Sequence, residues 1–366
     1  MSNRTTFILA TLLLAATFLL AFSSMKQDAL TFDEKAHIAA GYSYLTQQDY
    51  RINPEHPPLA KDLAAFPLLF MNLNFPEESQ TWKQDSEAPQ WWVQFDLGNE
   101  LLYQSGNNPR QIILWSRLPM ILLLLALGAF LFKWAREIGG NIMGLGVLAL
   151  FAFSPTFLAH GRLVTTDVAA AFGVVVGTYY WLKFLRAPSP ANIAKAGIAL
   201  GIALLLKFTT ILLFPFFGIL TVLYPLLFGS SFISSLKSLA VYTGKAVLAG
   251  IIAFVFVVWP VYQFHILNYP AQRQLRDTVA DLRADGLKSY ENLFAVKLIE
   301  IPGMRPFAQY FRGVLMAAQR GQFGNTTYFM GEVSAKAKAE YFPVLLATKT
   351  PIAFPILLAV GLIGIL

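Results

Sequence analysis

Residues Thr6–Ser24 read TFILATLLLAATFLLAFSS, without a single ionisable side chain. A bilayer-spanning helix needs about 20 mostly apolar residues, and this run has that length, with Arg4 before it and Lys26 after it. The apolar region of a secretory signal is usually about 7–15 residues. This run is longer and lacks a convincing small-x-small cleavage site beside its polar end, so it reads as a retained first membrane helix.

Working outward, the whole chain has the composition that the first run announces. Of its 366 residues 56% are hydrophobic and 13% charged, against roughly 45–50% and about 25% in soluble domains. A soluble chain of this size cannot hide so much apolar surface. The net charge of +7 does not argue for nucleic acid, because the basic residues sit at the ends of apolar runs, where they set topology. There are no cysteines, so thiolate metal centres are excluded, and four histidines with no H-x-x-x-H pair argue against a histidine-rich one.

Further runs of membrane length or nearly so follow at Ile112–Phe132, Ile142–Leu158, Val164–Leu185, Ile193–Leu206, Thr209–Leu227, Leu239–Phe264 and Phe342–Leu366. The fold class is therefore an all-α integral membrane protein, a polytopic helical bundle of about eight spans. The fifth run is short and only Lys207 parts it from the sixth, so the two also read as one broken segment. Lys133 and Arg136 follow the second run, Arg186 and Lys195 flank the fourth, and Lys237 and Lys245 follow the sixth. By the positive-inside rule these loops are cytoplasmic, as is the N-terminus. Residues 1–264 then form a membrane module with a large outer loop at 25–111. Residues 265–341 form a second outer loop, and 342–366 a last membrane helix. The chain stops inside an apolar run without a polar tail, which reads as truncation.

The first outer loop holds twelve Asp and Glu against six Lys and Arg. Loops of this length are usually functional or carry their own structure. In the second, Arg273–Lys288 reads as a surface helix with alternating charge, and Ile301–Phe311 as a segment lying against the membrane interface.

Four stretches could carry chemistry. Thr31-Phe32-Asp33-Glu34-Lys35-Ala36-His37 sets two carboxylates just beyond the first helix, with Asp33 and His37 on one face if it is helical. Partial burial there would tune a carboxylate toward general-base work; alternatively the pair caps a juxtamembrane helix. Asn53-Pro54-Glu55-His56-Pro57-Pro58-Leu59-Ala60-Lys61 has a rigid proline turn between His56 and a helix carrying Lys61. That cation is either a phosphate ligand or a snorkelling anchor. Ser154-Pro155 leads through His160-Gly161-Arg162 to Asp167, at the entrance of an apolar helix. Asp167 is a functional carboxylate or a helix cap. Arg162 and Lys207 are further cations near the outer surface, and on local sequence each reads as an interfacial anchor rather than a ligand contact. Tyr341-Phe342-Pro343 and Lys349-Thr350-Pro351 predict a break in the last span.

Together these stretches resemble the polyprenyl-phosphate-sugar glycosyltransferases of the GT-C type, and within them the protein O-mannosyltransferase-like group, glycosyltransferase family 39. Asp-Glu alone carries little weight, whereas His-Pro-Pro-Leu-x-Lys in the first outer loop downstream of it is fairly specific. The resemblance implies a helical membrane module with juxtamembrane helices in the first outer loop over a lipid-facing cavity. It implies transfer of mannose or a similar hexose from a polyprenyl phosphate to a hydroxyl acceptor outside the membrane, with inversion. It assigns the base to Asp33, with Glu34 beside it and Asp167 assisting, and the carrier phosphate to Lys61, Arg162 and His56. The partners it implies are the lipid-linked sugar, a protein, glycan or lipid acceptor, and membrane lipids, with no metal and no cofactor beyond the donor. Eukaryotic members carry a lectin-like domain in a late loop, and residues 265–341 are too few to hold one. The competing class is a transporter or lipid flippase. Such proteins tend to show inverted repeats with polar groups near the midplane, whereas here the polar residues gather at one face.

Overall fold

A computed structural model describes residues 1–26, 28–84, 91–228, 232–283, 290–323, 326–335 and 338–363. They fold into helices, with one small antiparallel hairpin, Thr327–Phe329 against Glu332–Ser334, as the strand structure among them. The fold class is as the sequence predicts.

The first helix, α1 (Asn3–Met25), buries a narrow stripe of Thr6, Ala10, Thr17, Ala21 and Met25. These residues recur at steps of four and seven residues, so one face packs while the rest stays apolar and exposed, as Leu12 and Leu19 do. A helix hydrophobic all round with one packed face is suited to lipid. The stripe meets Ile121, Leu124, Leu127 and Phe132 in a shared core.

The second and third expected spans run together as Pro109–Ala152. Unbroken, that helix would be about 66 Å long, twice the hydrocarbon thickness. It breaks at Gly139 and Gly140, where Gly140 has φ 75° and ψ −167°, a conformation open essentially to glycine alone. The arms, 109–138 (α4) and 141–152 (α5), fold back on each other. A Cβ on Gly128 would lie 2.7 Å from the Phe151 ring, and Leu148 and Phe151 share a core with Leu127 and Phe132. The expected third span is further interrupted at Phe153–Ser154, where a short helix, Pro155–His160, begins.

Next come α6 (Asp167–Arg186) and α7 (Pro190–Leu206), which pack side by side. The 17-residue α7 is shorter than a full span. Lys207 leaves it in extended conformation, and a 3-10 turn, Phe208–Leu212, leads into α8 (Leu213–Phe228). The fifth and sixth runs are thus two helices parted by one extended residue. The next apolar helix, Leu236–His265, contains a π turn at Ile252–Val258. Five helices are long and apolar enough to cross a membrane among the described residues, or six with the bent pair described below. The shortfall from eight is the fused hairpin and the short α7.

Residues divide into two compact units, Met1–Leu315 and Met316–Leu366. The first therefore includes much of the expected loop 265–341. Its helix Ala271–Arg283 is docked rather than a surface helix: Gln274, Asp277 and Thr278 are buried, and Arg273 donates to the Lys83 carbonyl at 2.6 Å. Residues 284–289 of the expected Arg273–Lys288 helix lie outside the described residues. Arg312, fully buried, donates to Asp281 at 2.5 and 2.8 Å and to the Tyr269 hydroxyl at 3.1 Å. In the second unit, Tyr341–Lys349 and Ala353–Leu362 meet at 99°. The break falls at Thr350-Pro351, where the Lys-Thr-Pro sequence predicts it. Residues 364–366 of the expected last span lie outside the described residues.

Candidate active site

Between α1 and α4 the loop at 25–111 folds into short helices, beginning with Phe32–Gln47 (α2) and Leu59–Ala65 (α3). The first starts where Glu34 reaches back to its own N-terminus and accepts from the Thr31 N–H at 2.9 Å and its hydroxyl at 3.0 Å. This is half of a capping box. Successive residues on a helix point about 100° apart, so Asp33 and Glu34 face different surroundings. Asp33 is exposed, with no hydrogen bond or ion pair among the described residues, whereas Glu34 is wholly buried.

Buried Glu34 is held by Arg117 of α4, which sequence reading misses. Arg117 Nε and Nη2 donate to the two carboxylate oxygens at 2.8 and 2.6 Å. Its remaining N–H groups reach the carbonyls of Met25, Asp28 and Ala29 at 2.8–3.1 Å. All five guanidinium donors are thereby used. Glu34 also accepts the Val164 N–H at 2.9 Å. Burial alone would raise the Glu34 carboxyl, but bonds from Arg117, Thr31 and Val164 outweigh it and hold it below its ordinary value. The one available signal for Arg117 is a cation inside the apolar run Ile112–Phe132.

One turn after Asp33, His37 is buried and bonds the Val164 carbonyl through Nδ1 at 2.8 Å. A carbonyl only accepts, so Nδ1 carries the proton there. Burial, followed by the nearby Lys61 charge, pushes the imidazole down to about 4, and His37 is neutral at pH 7. Glu34 and His37 together clasp both backbone polar groups of Val164. Three residues on, Asp167 opens α6. The Thr31–His37 helix and the entrance of α6 are therefore parts of one rigid junction at the same end of the bundle.

Asp167 is largely exposed and bonds Lys207 at 2.6 Å. Lys207 is a quarter exposed and sits at the extended break after α7. Arg162 pairs with Asp28 and donates to the Ser24 hydroxyl, tying the approach to α6 to the end of α1. The His56 ring packs edge-on to that of His37, with centroids 5.0 Å apart.

Lys61 requires a correction. Its helix does start after the prolines, as expected, but the side chain turns inward and is 1% exposed. Its ammonium donates to the Tyr44 hydroxyl, the Asn53 carbonyl and side-chain oxygens, and the His56 carbonyl at 2.8–3.0 Å. Burial pushes it well below its usual range. With three N–H donors against four acceptors, it has none left for a phosphate. Lys61 instead fastens the turn 53–58 to the helix that follows.

The fold and the site define a polytopic all-α membrane protein with a polar junction at one end of its bundle. Residues 106–259 match the family model of dolichyl-phosphate-mannose-protein mannosyltransferases. The matched segment carries Arg117, Arg162, Val164, Asp167 and Lys207, and begins at the very end of the loop that holds Asp33, far beyond Asp33 itself. It supports a membrane glycosyltransferase of the mannosyltransferase type. No curated protein and no solved structure matches the chain.

Proposed function

We propose that the protein transfers a hexose, mannose or a close relative, from a polyprenyl-phosphate carrier to a hydroxyl on a protein, glycan or lipid acceptor. The transfer takes place on the extracytoplasmic side of the cell membrane, with the N-terminus cytoplasmic. The observation that carries this reading is the contrast between Asp33 and Glu34. One carboxylate is open to solvent on a helix that the other locks in place.

Asp33 takes the proton of the acceptor hydroxyl as its oxygen attacks the anomeric carbon. The bond from that carbon to the carrier phosphate breaks, and one displacement inverts the centre. A positioned base contributes about 10²–10⁴ to such a step. The leaving phosphate takes the electron pair, so it needs fixed positive charge rather than an acid. Arg162 and Lys207 supply that charge, with His56 on the same rim. Asp167 orients Lys207, and Glu34 positions Asp33. The scheme invokes no metal and no cofactor beyond the donor.

The test uses membranes containing the full chain and a panel of radiolabelled polyprenyl-phosphate sugars. Label should pass from one of them to an acceptor, and Asp33→Asn should abolish the transfer while insertion is unchanged. Undiminished transfer by Asp33→Asn would remove Asp33 from the base role.

A further inference from the structure

At the other end of the hairpin, where α1 begins and α4 turns into α5, lies a cavity of about 790 Å³. Its size is that of a small-molecule site. Ala10, Leu14 and Phe132 form an apolar floor running along α1, and Lys133, Arg136 and Asn141 form a polar rim.

The charges on the rim do not balance. Glu137 accepts from the Tyr179 hydroxyl at 2.8 Å and pairs with Lys183 at 3.1 Å, while Lys133 stands 4.0 Å away. One carboxylate thus serves two lysines. Arg136 bonds only neutral amide oxygens among the described residues, Asn141 at 2.7 Å and Asn3 at 3.0 Å. Its guanidinium is held in place, stacked 4.9 Å over Phe7, without a counter-anion. Lys133 is likewise steadied, 4.6 Å from the Tyr179 ring and 5.1 Å from that of Phe130. Two fixed cations above an apolar groove, at one end of membrane-length helices, match an anionic headgroup with an acyl chain below it.

From this juxtaposition of Arg136, which has no acidic partner among the described residues, and Lys133, which shares the single carboxylate of Glu137 with Lys183, with the apolar floor beneath them, we propose that this cavity binds an anionic phospholipid of the adjacent leaflet. The site lies at the opposite end of the bundle from Asp33, and the inference does not depend on the proposed reaction. In the orientation proposed above, the leaflet is the cytoplasmic one.

The experiment measures the unfolding midpoint of the delipidated full chain in detergent with added dioleoyl phosphatidylglycerol, dioleoyl phosphatidylcholine or inorganic phosphate. Phosphatidylglycerol should raise the midpoint well above the other two. Each cation removed should weaken its apparent affinity roughly fivefold. Lys133→Gln tests this without touching the Arg136 bonds to Asn3 and Asn141, and Lys133→Gln/Arg136→Gln should bring phosphatidylglycerol down to the phosphatidylcholine response. Ala129→Phe, which narrows the cavity without changing charge, should also weaken binding. Equal responses to the two lipids in the unaltered protein, or a phosphatidylglycerol response unmoved by Lys133→Gln and Ala129→Phe, would overturn the proposal. So would an equal response to inorganic phosphate, which would mark a simple anion site.

Discussion

Arg117 and Glu34 lie 83 residues apart in sequence and meet through two hydrogen bonds of 2.6 and 2.8 Å, with neither side chain reaching solvent. The pair joins the hairpin arm α4 to the loop that carries Asp33. Breaking a buried pair by removing one partner costs about 3–5 kcal/mol, because the other charge is stranded. Arg117→Met and Glu34→Ala should therefore both lower the thermal unfolding midpoint in detergent sharply. Arg117→Lys should not restore it, since an ammonium has three donors for sites that take five. The double variant Arg117→Met/Glu34→Leu should recover part of the loss.

His37 makes stability depend on pH. Its imidazole is ordinarily at 6.5 and is pushed down to about 4 in the fold, so between those values the unfolded chain binds the extra proton. The contribution is fully present above pH 6.5 and drains away as pH falls toward 4, a loss of about 3 kcal/mol. The unfolding midpoint should decline between pH 7 and pH 4.5. His37→Asn, which keeps a donor toward Val164 and cannot titrate, should flatten that decline. An unchanged slope in the variant would place the titration elsewhere.

Lys61 separates two roles that a simple activity assay would merge. Removing its ammonium strands buried acceptors in Tyr44, Asn53 and His56, each at a cost of about 1–3 kcal/mol. Lys61→Met should reduce stability and yield. In the protein that does fold, the apparent KM for a polyprenyl-phosphate sugar should change less than with Lys207→Ala. A selective rise in donor KM with full stability would return Lys61 to the phosphate.

Asp167 and Lys207 form an exposed pair, and such pairs contribute roughly 0–1 kcal/mol to stability. Asp167→Asn should leave the unfolding midpoint nearly unchanged while lowering transfer by at least tenfold, read as initial rate at saturating donor. Exchanging the charges with Asp167→Lys/Lys207→Asp should preserve the midpoint without restoring the rate. Recovery of the rate would reduce the pair to a structural clip.

The fold was legible where the signal is composition. The run Thr6–Ser24 lies within α1, and Lys349-Thr350-Pro351 breaks a helix as expected. The reversal at Gly139-Gly140 reads in sequence as a gap between spans, and nothing in the residues shows how tight the turn is. The site was legible as a set of positions and not as roles. Asp33 and Glu34 are alike on paper; only the direction of each side chain makes one a free carboxylate and the other a buried partner. Lys61 reads in sequence as a surface cation for the same reason, because no local spacing records the carbonyls folded around it. Arg117 was passed over because its partners lie as far away as Glu34, and no local spacing records them.

A chain threading a membrane has a parity: each crossing switches the compartment that the next residue meets. Asp33 follows one crossing, and Asp167 shares its compartment only if the intervening chain goes over and comes back. The return begins at Gly140, whose φ of 75° is costly for residues with a side chain. A residue that touches no substrate thus decides whether the two carboxylates can ever address the same molecule. Straightening that corner into a continuous helix would leave every site residue in the chain and still divide the site between two compartments.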